Sequence, residues 1–423
     1  MFYWISIILF VAAYALIIAD KIHRTIVIWV AAALALILGV ITQEQAVQEA
    51  IDFNTLWLLI GMMVIVSITR KSGVFEYLAI KAARTSGGKP IYILVAMVFV
   101  TAVLSALLDN VTTVLLIVPV TIAITDRLDI NPMPFFISEI LASNVGGTAT
   151  LIGDPPNIMI GSATGLGFMD FLLNLSLPAF IILIVTTACL VVIYRGDMQV
   201  APEKQQNIMG LNPVDYIKEW AILKKSLLVL GLTILGFVLH QYLHVESATI
   251  ALLGAGLLLL LVGEDPEEAL LHVEWPTIFF FGGLFVLVGG LVANGVIEDM
   301  ARWTLGVAGN SPIKTGLLVL WVSAIGSAFV DNIPFVATMI PLLQTVGELT
   351  HMPMESIWWA LALGSCLGGN GTIIGASANV IVAGMAERYG YHIGFIDYFK
   401  IGFPLMILSI VMSTVYLYLF YWM

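Results

Sequence analysis

The sequence of 423 residues is poor in charged side chains. Charged residues make up 11% of the chain, against roughly 25% in a soluble globular protein, whereas 60% of the residues are hydrophobic. This composition excludes a water-soluble fold. Apolar runs such as Phe2–Ala19 and Phe171–Tyr194 are long and continuous. They predict spanning helices of about 20 residues rather than the alternating strands of a membrane barrel. We therefore predict an all-α polytopic membrane protein.

Cysteine is also scarce, and basic residues are scattered. Cys189 and Cys366 both lie inside apolar stretches. Two such residues build neither a disulfide framework nor a thiolate metal cage, so we predict no metal and no other cofactor. The 17 Lys and Arg residues form no basic stripe, which sets nucleic acid aside as a partner. The lipid bilayer is the expected surrounding.

The distribution of Lys and Arg over the predicted loops sets the orientation. Fifteen of the 17 fall on one side, and only Arg302 and Lys314 fall on the other, if segments 91–126 and 313–349 are re-entrant hairpins. Because short cytoplasmic loops retain positive charge, the crowded side is predicted to be cytoplasmic. We expect the protein in the cell (inner) membrane, with both termini on the outer side.

The first segment, Met1 to Ala19, bears no positively charged start and no small-residue cleavage site. A retained helix is therefore favoured over a cleaved signal peptide.

The sequence repeats itself at a constant offset of 222 residues, so that residues 51–163 align with 273–385 without a gap. The matched positions include Gly61/Gly283, Asp109/Asp331, Asn110/Asn332, Pro119/Pro341, Gly146/Gly368, Gly147/Gly369 and Asn157/Asn379. The charge distribution orients the two copies oppositely in the membrane. Inverted repeats with interrupted helices are typical of secondary transporters, whose site lies near the midplane where the copies meet.

These features predict inverted-topology repeats with two re-entrant hairpins and two broken transmembrane helices. The predicted divisions are N-terminal transmembrane helices in 1–50, the first inverted repeat in 51–194, a cytoplasmic linker in 195–225, transmembrane helices of the second half in 226–272 and the second inverted repeat in 273–423.

Four polar clusters interrupt the apolar pattern, two in each copy. They begin at Leu108, Ser143, Val330 and Gly368, each about halfway through a hydrophobic segment. Unsatisfied backbone at that depth costs several kcal/mol per group, so such breaks mark a site that protein or water satisfies. The candidate substrate-binding residues are Asn110, Asn144, Thr148, Asn157, Asn332, Asn370, Thr372, Ser377 and Asn379.

Four carboxyl groups are candidates for proton coupling, because burial disfavours their charged form. They are Asp109, Asp331, Glu139 and Asp154. Capping is the alternative for the aspartates, since each stands where a helix could begin. Glu139 is matched by Leu361 in the repeat, so it is either a proton carrier or a residue that faces the cytoplasmic vestibule.

The side chains near the clusters restrict the solute. No Lys or Arg falls inside the apolar segments beside them, which argues against a multiply charged anion. Acidic residues with Asn, Ser and Thr suit a cation or a neutral polyhydroxyl solute. An intramembrane protease with Asp109 and Asp331 as its dyad is disfavoured, because it needs one cleft and the chain has four breaks. A passive channel would carry the same residues as a transporter.

The strings Leu108–Thr113 and Gly146–Asn157, with the mirrored Asp331-Asn332, resemble the ion transporter superfamily over about residues 1–420. Within it they are similar to the branch that joins ArsB-type arsenite permeases, NhaD-type sodium/proton antiporters and the melanosomal P protein. The resemblance implies a scaffold domain and a transport domain that alternate in an elevator-like movement. It also implies a homodimer, and it allows for a cytoplasmic ATPase partner.

Among the substrates of this branch we favour arsenite or antimonite, expelled in exchange for protons. Arsenous acid is a neutral trihydroxide, and two cysteines cannot form the three-thiolate site by which proteins usually hold As(III). Hydrogen bonds from Asn110, Asn332, Asn157 and Asn379 would hold it instead. A sodium/proton antiporter, with Asp109 or Asp331 in a sodium cage, is the alternative. Organic anion transport ranks third for want of buried cations.

Overall fold

The computed structural model describes residues 2–19, 21–196 and 198–423, and Met1, Asp20 and Asp197 lie outside these ranges. Within the described ranges every regular element is helical, and nine helices are apolar and long enough to cross a membrane. Three shorter apolar helices accompany them. The predicted all-α polytopic fold is confirmed.

In its described residues, the first half of the chain contains ten α-helices. They are α1 (Phe2–Ile18), α2 (Arg24–Ile37), α3 (Gln43–Gln45), α4 (Phe53–Lys71), α5 (Val74–Thr85), α6 (Pro90–Leu107), α7 (Asn110–Leu128), α8 (Met133–Thr148), α9 (Pro155–Thr164) and α10 (Phe168–Tyr194). A π-helical turn (Ala46–Ala50) follows α3.

A polar connection leads to the second half. It contains α11 (Pro202–Met209) and a 3₁₀ turn (Pro213–Tyr216). The second half contains α12 (Trp220–Leu243), α13 (Ser247–Val262), α14 (Pro266–Leu271), α15 (Trp275–Ala293), α16 (Val296–Ala308), α17 (Pro312–Phe329), α18 (Asn332–Thr350), α19 (Glu355–Gly368), α20 (Ser377–Arg388) and α21 (Phe395–Leu417). A 3₁₀ turn (Gly369–Gly371) follows α19, and a π-helical turn (Tyr418–Trp422) ends the chain.

The repeat is visible in the order of these helices, because α4–α9 correspond to α15–α20. Helices α6 and α7 form the first hairpin and α17 and α18 the second, each turning at an Asp-Asn pair. Helices α8 and α9 form the first broken helix and α19 and α20 the second. The two predicted hairpins and two predicted broken helices are therefore present.

The packing pairs helices across the two copies. Helix α13 lies along α4, and α2 lies along α15. These four helices form one group with two neighbours, which we call the scaffold helices: α1, α2, α4, α12, α13 and α15. Helix α20 packs against the first hairpin at α7, and α9 packs against the second hairpin at α18. The hairpins and broken helices, α6–α9 and α17–α20, form the other group, the hairpin bundle.

Close backbone approach joins each hairpin to the broken helix of its own copy. Gly146 on α8 lies so near α6 that a Cβ atom there would be 2.2 Å from the carbonyl oxygen of Ala102. Its repeat mate Gly368 faces Ala324 in the same way, with a corresponding distance of 2.6 Å. A side chain at either position would separate the helices, so glycine is what permits this packing.

Candidate functional site

The hairpin tips and the interruptions of the broken helices meet at one small cavity, which we call the central cavity. Its volume is about 20 Å³, and its lining includes Asp109 and Asn110 of the first hairpin, Asn332 of the second, Asp154 and Ser377. Helices α7, α9, α18 and α20 all begin here, so four helix N-termini with their partial positive charge converge on it. Both copies of the repeat contribute to the cavity.

Asp154 links the two hairpins. Its side chain is fully buried and accepts hydrogen bonds from Nδ2 of Asn110 and Nδ2 of Asn332, each at 3.2 Å. Its backbone is extended before α9, but its side chain makes no capping bond to that helix. The carboxyl group therefore faces its neighbours across the cavity rather than the helix that it precedes.

The other two aspartates do cap helices. Asp109 accepts from the backbone N–H of Thr112 at 2.7 Å, and Asp331 accepts from the backbone N–H of Ile333 at 3.1 Å. These bonds satisfy N–H groups at the starts of α7 and α18, which would otherwise be unpaired in the interior. The capping alternative thus holds for both hairpin tips. The capping bonds do not test proton coupling by the same groups, which stays a prediction.

An asparagine network surrounds the central cavity. Asn144 accepts from Nδ2 of Asn110 at 3.2 Å and donates to Oδ1 of Asn370 and of Asn379, both at 2.9 Å. Asn379 in turn donates to the carbonyls of Gly369 and Thr372, at 2.7 and 2.9 Å. The amides therefore satisfy the backbone where α19 is interrupted.

Side-chain amides and hydroxyls also satisfy backbone carbonyls at the interruption between α8 and α9 in the first copy. Asn157 donates to the carbonyls of Thr148 and Thr150, at 3.1 and 2.9 Å. The Thr148 hydroxyl donates to the Asn144 carbonyl at 2.7 Å, and the Thr372 hydroxyl donates to a carbonyl of α17. Of the nine predicted ligands, Asn110, Asn332 and Ser377 line the central cavity, while the others lie in the network behind it. Their roles toward a solute stay predictions.

The expectation of a site without a cation is wrong. Nη1 of Arg24 donates to Oδ2 of Asp331 and to Oγ of Ser377, both at 2.7 Å, and its guanidinium lies 5.0 Å from the centre of the Phe280 ring. Arg24 closes a charged stretch that the charge distribution assigns to a cytoplasmic loop. Its position as the first residue of the apolar helix α2 was the signal that could have placed it in the site.

Glu274 is a second lining residue that the sequence interpretation missed. It precedes α15, lines the central cavity and accepts from the Thr277 hydroxyl at 3.3 Å. Its repeat mate Asp52 accepts from the Thr55 hydroxyl at 2.6 Å in the same way. An acid followed three residues later by threonine in both copies was the available signal.

A larger cavity, the first vestibule, adjoins the central cavity. Its volume is about 390 Å³, and both cavities are lined by Arg24, Glu274, Thr277 and Ser377. Asp331 lies on the vestibule wall, with its side chain 10% exposed. The second hairpin tip is thus accessible from the vestibule, whereas Asp109 is reached through the central cavity.

Glu139 lies apart from these cavities, fully buried between α7 and α8. Its Oε1 accepts from the Thr121 hydroxyl at 2.5 Å, and its Oε2 has no hydrogen-bond partner in the described part of the chain. The repeat mates of this pair are Leu343 and Leu361, both buried. The carboxyl group is therefore a feature of the first copy, and its role stays a prediction.

Comparisons with known proteins agree with this architecture. The family model described as CitMHS, citrate transporter, matches residues 14–364. An uncharacterized transporter of Mycobacterium tuberculosis is 44% identical over 422 residues, covering 99% of this chain and 98% of its own. The human P protein is 35% identical, and the match covers 96% of this chain and 58% of the P protein.

A solved structure shares the fold. The Alcanivorax borkumensis YdaH transporter, described as having an unusual topology, superposes with a TM-score of 0.58 at 16% identity, over 88% of this chain and 86% of its own. The predicted resemblance to the ion transporter superfamily is confirmed. The chain belongs to the citrate transporter (CitMHS) family and is a multi-pass membrane transporter, not an enzyme.

Proposed function

We propose that the chain is a proton-coupled secondary transporter that expels arsenite or antimonite by an elevator-like movement of the hairpin bundle against the scaffold helices. The observation that carries the proposal is the acceptor-rich cavity to which both copies contribute. Asp109, Asp154 and Glu274 face it, and Asp331 stands at its junction with the first vestibule. Carboxyl groups accept hydrogen bonds and take up protons, so one site serves both the solute and the coupling ion.

The sizes of the two cavities support a site for the coupling ion in the central cavity and a site for the solute in the first vestibule. A volume of about 20 Å³ is room for one water-sized species, which suits a proton carrier or a single small ion in the central cavity. The first vestibule, at about 390 Å³, has room for a small solute beside Arg24 and Ser377. A neutral trihydroxide can donate its O–H groups to oxygen atoms of the vestibule wall, such as those of Glu274 and Ser377, and it avoids the cost of burying a net charge.

Sodium/proton exchange is a second candidate, because the central cavity has the size of one ion and is lined by acidic side chains. Hard cations prefer such oxygen ligands. Carboxylate transport is a third, favoured by Arg24 and by the family description. Arg24 removes the reason that placed organic anions last, but its guanidinium is already paired with Asp331, and the remaining acids would repel an anion.

Purified protein in liposomes with an imposed pH step tests the proposal. Arsenite, antimonite, sodium and citrate are supplied in turn, and both solute movement and internal pH are recorded. We expect arsenite or antimonite to accumulate against its gradient, which separates a transporter from a passive channel. Sodium-dependent proton exchange without a response to arsenite would favour the antiporter, and citrate uptake alone would favour carboxylate transport.

Two sets of variants sharpen the comparison. Cys189→Ser with Cys366→Ser should leave arsenite transport nearly intact, because hydrogen bonds rather than thiolates hold the solute. Asn110→Ala or Asn332→Ala removes a donor to Asp154 in the central cavity that adjoins the vestibule, leaves that buried group short of a partner and should weaken solute binding by roughly tenfold. Loss of transport in the cysteine variant would point to thiolate ligation and against the proposed site.

The remaining expectations concern surroundings and assembly. We propose an inner-membrane location with both termini outside, from the charge distribution, and a homodimer with a cytoplasmic ATPase as a further partner, from the resemblance. Tags added at either end and probed with an impermeant protease test the orientation. Light scattering of the purified protein tests the dimer, and ATP-dependent transport in vesicles tests the ATPase.

A further inference from the structure

A second vestibule matches the first by the repeat. Its volume is about 380 Å³, and its lining includes Glu246, Asn54 and Ile158. Each of these positions lies 222 residues from a lining residue of the first vestibule, namely Arg24, Pro276 and Val380. The first vestibule lies where α2 begins, and the second lies where α13 begins. Helix α2 precedes the first copy and packs along α15, as α13 precedes the second copy and packs along α4, so the two vestibules are equivalent positions of one architecture.

The two vestibules carry opposite charges at this matched position. Arg24 pairs with Asp331 at the tip of the second hairpin, at 2.7 Å, with side chains 26% and 10% exposed. Glu246 stands at the start of α13, exposed in the second vestibule. The first hairpin tip, Asp109, faces the central cavity and caps its own helix. An ion pair therefore holds the second hairpin tip to the scaffold helices. The matched residues at the first hairpin tip, Asp109 and Glu246, are both acidic and would repel each other.

Inverted repeats alternate between two states in which the copies exchange roles. In the present state the tip of the second hairpin contacts the start of α2. In the exchanged state the tip of the first hairpin would contact the start of α13, which would bring Asp109 close to Glu246. We propose that Arg24 and Glu246 are charge-opposed gate residues: Arg24 holds the second hairpin tip without a bound cation, whereas Glu246 accepts the first hairpin tip only with a cation or proton between them. This inference rests on the alternating movement in the proposed function, but not on the identity of the solute.

Other charged or titratable groups face the same places. His23 and Glu274 line the first vestibule, and Glu274 extends to the central cavity. Asp109 and Asp154 line that cavity and add negative charge near Asp331. The guanidinium of Arg24 is the cation nearest to these acids that the described residues place on the cavity wall. It therefore competes directly with any cation that binds Asp331.

The second vestibule has its own titratable neighbours, His240 and His244. The charge arrangement couples the bound cation to the exchange between the two states. A cation enters with the first hairpin at the second vestibule, and Arg24 displaces it when the second hairpin closes on the scaffold helices.

Paired cysteine reporters test the gate without any solute. On a Cys189→Ser, Cys366→Ser background, Val380→Cys reports the first vestibule and its repeat mate Ile158→Cys reports the second. Val380 is 45% exposed and Ile158 is 2% exposed, so the first should react with a soluble maleimide far faster. The measured quantity is the ratio of the two labelling rates at fixed pH.

Arg24→Gln should lower this ratio by roughly tenfold, because it removes a partly buried ion pair that one state alone contains. Glu246→Gln should lower it in the same direction by relieving the repulsion in the other state. The charge-conserving variants Arg24→Lys and Glu246→Asp are the matched controls and should stay near the parent ratio.

An unchanged ratio in both neutral variants overturns the gate, and so does an equal effect of neutral and charge-conserving variants. If Arg24→Gln does not elute from size-exclusion chromatography as a single folded species, the comparison of Glu246→Gln with Glu246→Asp at this exposed position is the test. Because labelling needs no transport, a failed solute assay with a shifted ratio would reject the proposed substrate and keep the gate.

Discussion

Asn144 donates its side-chain amide to Oδ1 of Asn370 at 2.9 Å, across the boundary between the two copies of the repeat. Both side chains are buried. Their repeat mates are Cys366 and Thr148, which cannot form an amide pair, so this bond departs from the internal symmetry. It joins the two broken helices at the point where both are interrupted.

Asn144→Ala should therefore act on stability before it acts on transport. The change leaves the Oδ1 atoms of Asn370 and Asn379 without their donor, at a cost of about 1–3 kcal/mol per unpaired group. Thermal unfolding in detergent should show a clearly lowered midpoint. Asn212→Ala, in the exposed linker, is the control and should change little. An unchanged midpoint for Asn144→Ala would show that water replaces the lost amide.

Asp109→Asn and Asp331→Asn should abolish proton-driven flux while sparing solute binding. Asparagine still caps α7 and α18, so each hairpin keeps its fold, but the side chain no longer takes up a proton. We expect the dissociation constant to change by less than about threefold, under 1 kcal/mol. Flux in liposomes and binding by calorimetry measure the two effects.

The control for both aspartate variants is Asp397→Asn, whose side chain is 77% exposed. It should transport like the parent. Loss of binding together with flux at both hairpin tips would make these aspartates ligands of the solute instead of proton carriers.

Glu139→Gln should remove proton-driven flux if Glu139 carries the proton, because glutamine keeps the shape and the bond to Thr121 but not the acid. The double variant Glu139→Leu, Thr121→Leu copies the pair that the second repeat already contains, Leu361 and Leu343. Replacing both polar partners with well-packed apolar groups should leave the unfolding midpoint nearly unchanged or raised. Full flux in either folded variant would assign Glu139 a packing role.

Gly146→Ala should destabilise the contact between the first hairpin and its broken helix. The added Cβ would meet backbone atoms of Ala102, which cannot move as a flexible side chain can. Such overpacking costs about 1–3 kcal/mol, which unfolding in increasing denaturant would detect. Gly231→Ala on α12, with no atom within 4 Å of the added group, is the control. Equal stability of the two variants would mean that α6 and α8 can separate without loss.

The hairpins and broken helices were predictable because polar residues at mid-depth leave few alternatives. An Asp-Asn pair halfway through an apolar run requires a turn and a helix start, and both hairpins turn there. Gly-Gly and Asp-Pro-Pro likewise predicted the interruption between α8 and α9. The 222-residue offset then gave the second copy. These are local requirements of backbone hydrogen bonding, so they are legible in the sequence.

Arg24 and Glu274 were not predictable in the same way, because their place depends on packing between distant helices. Arg24 follows a charged stretch that any count of loops assigns to water, yet α2 and α15 bring it to Asp331, 307 positions away. The amphipathic helices α5 and α16 were also missed. Charged residues interrupt the apolar residues of both helices, so neither helix forms the continuous apolar run from which the spanning helices were predicted.

The crossing of α20 with α7 and of α9 with α18 means that the cavity belongs to neither half of the chain. A polypeptide ending after α10 would hold a hairpin without the broken-helix segment that seals it, and the remaining part would have the reverse deficiency. Each half therefore supplies the helix that completes the packing of the other half. The polar connection through α11 then serves as a tether that raises the local concentration of one half for its counterpart, because a linked partner binds as an intramolecular one.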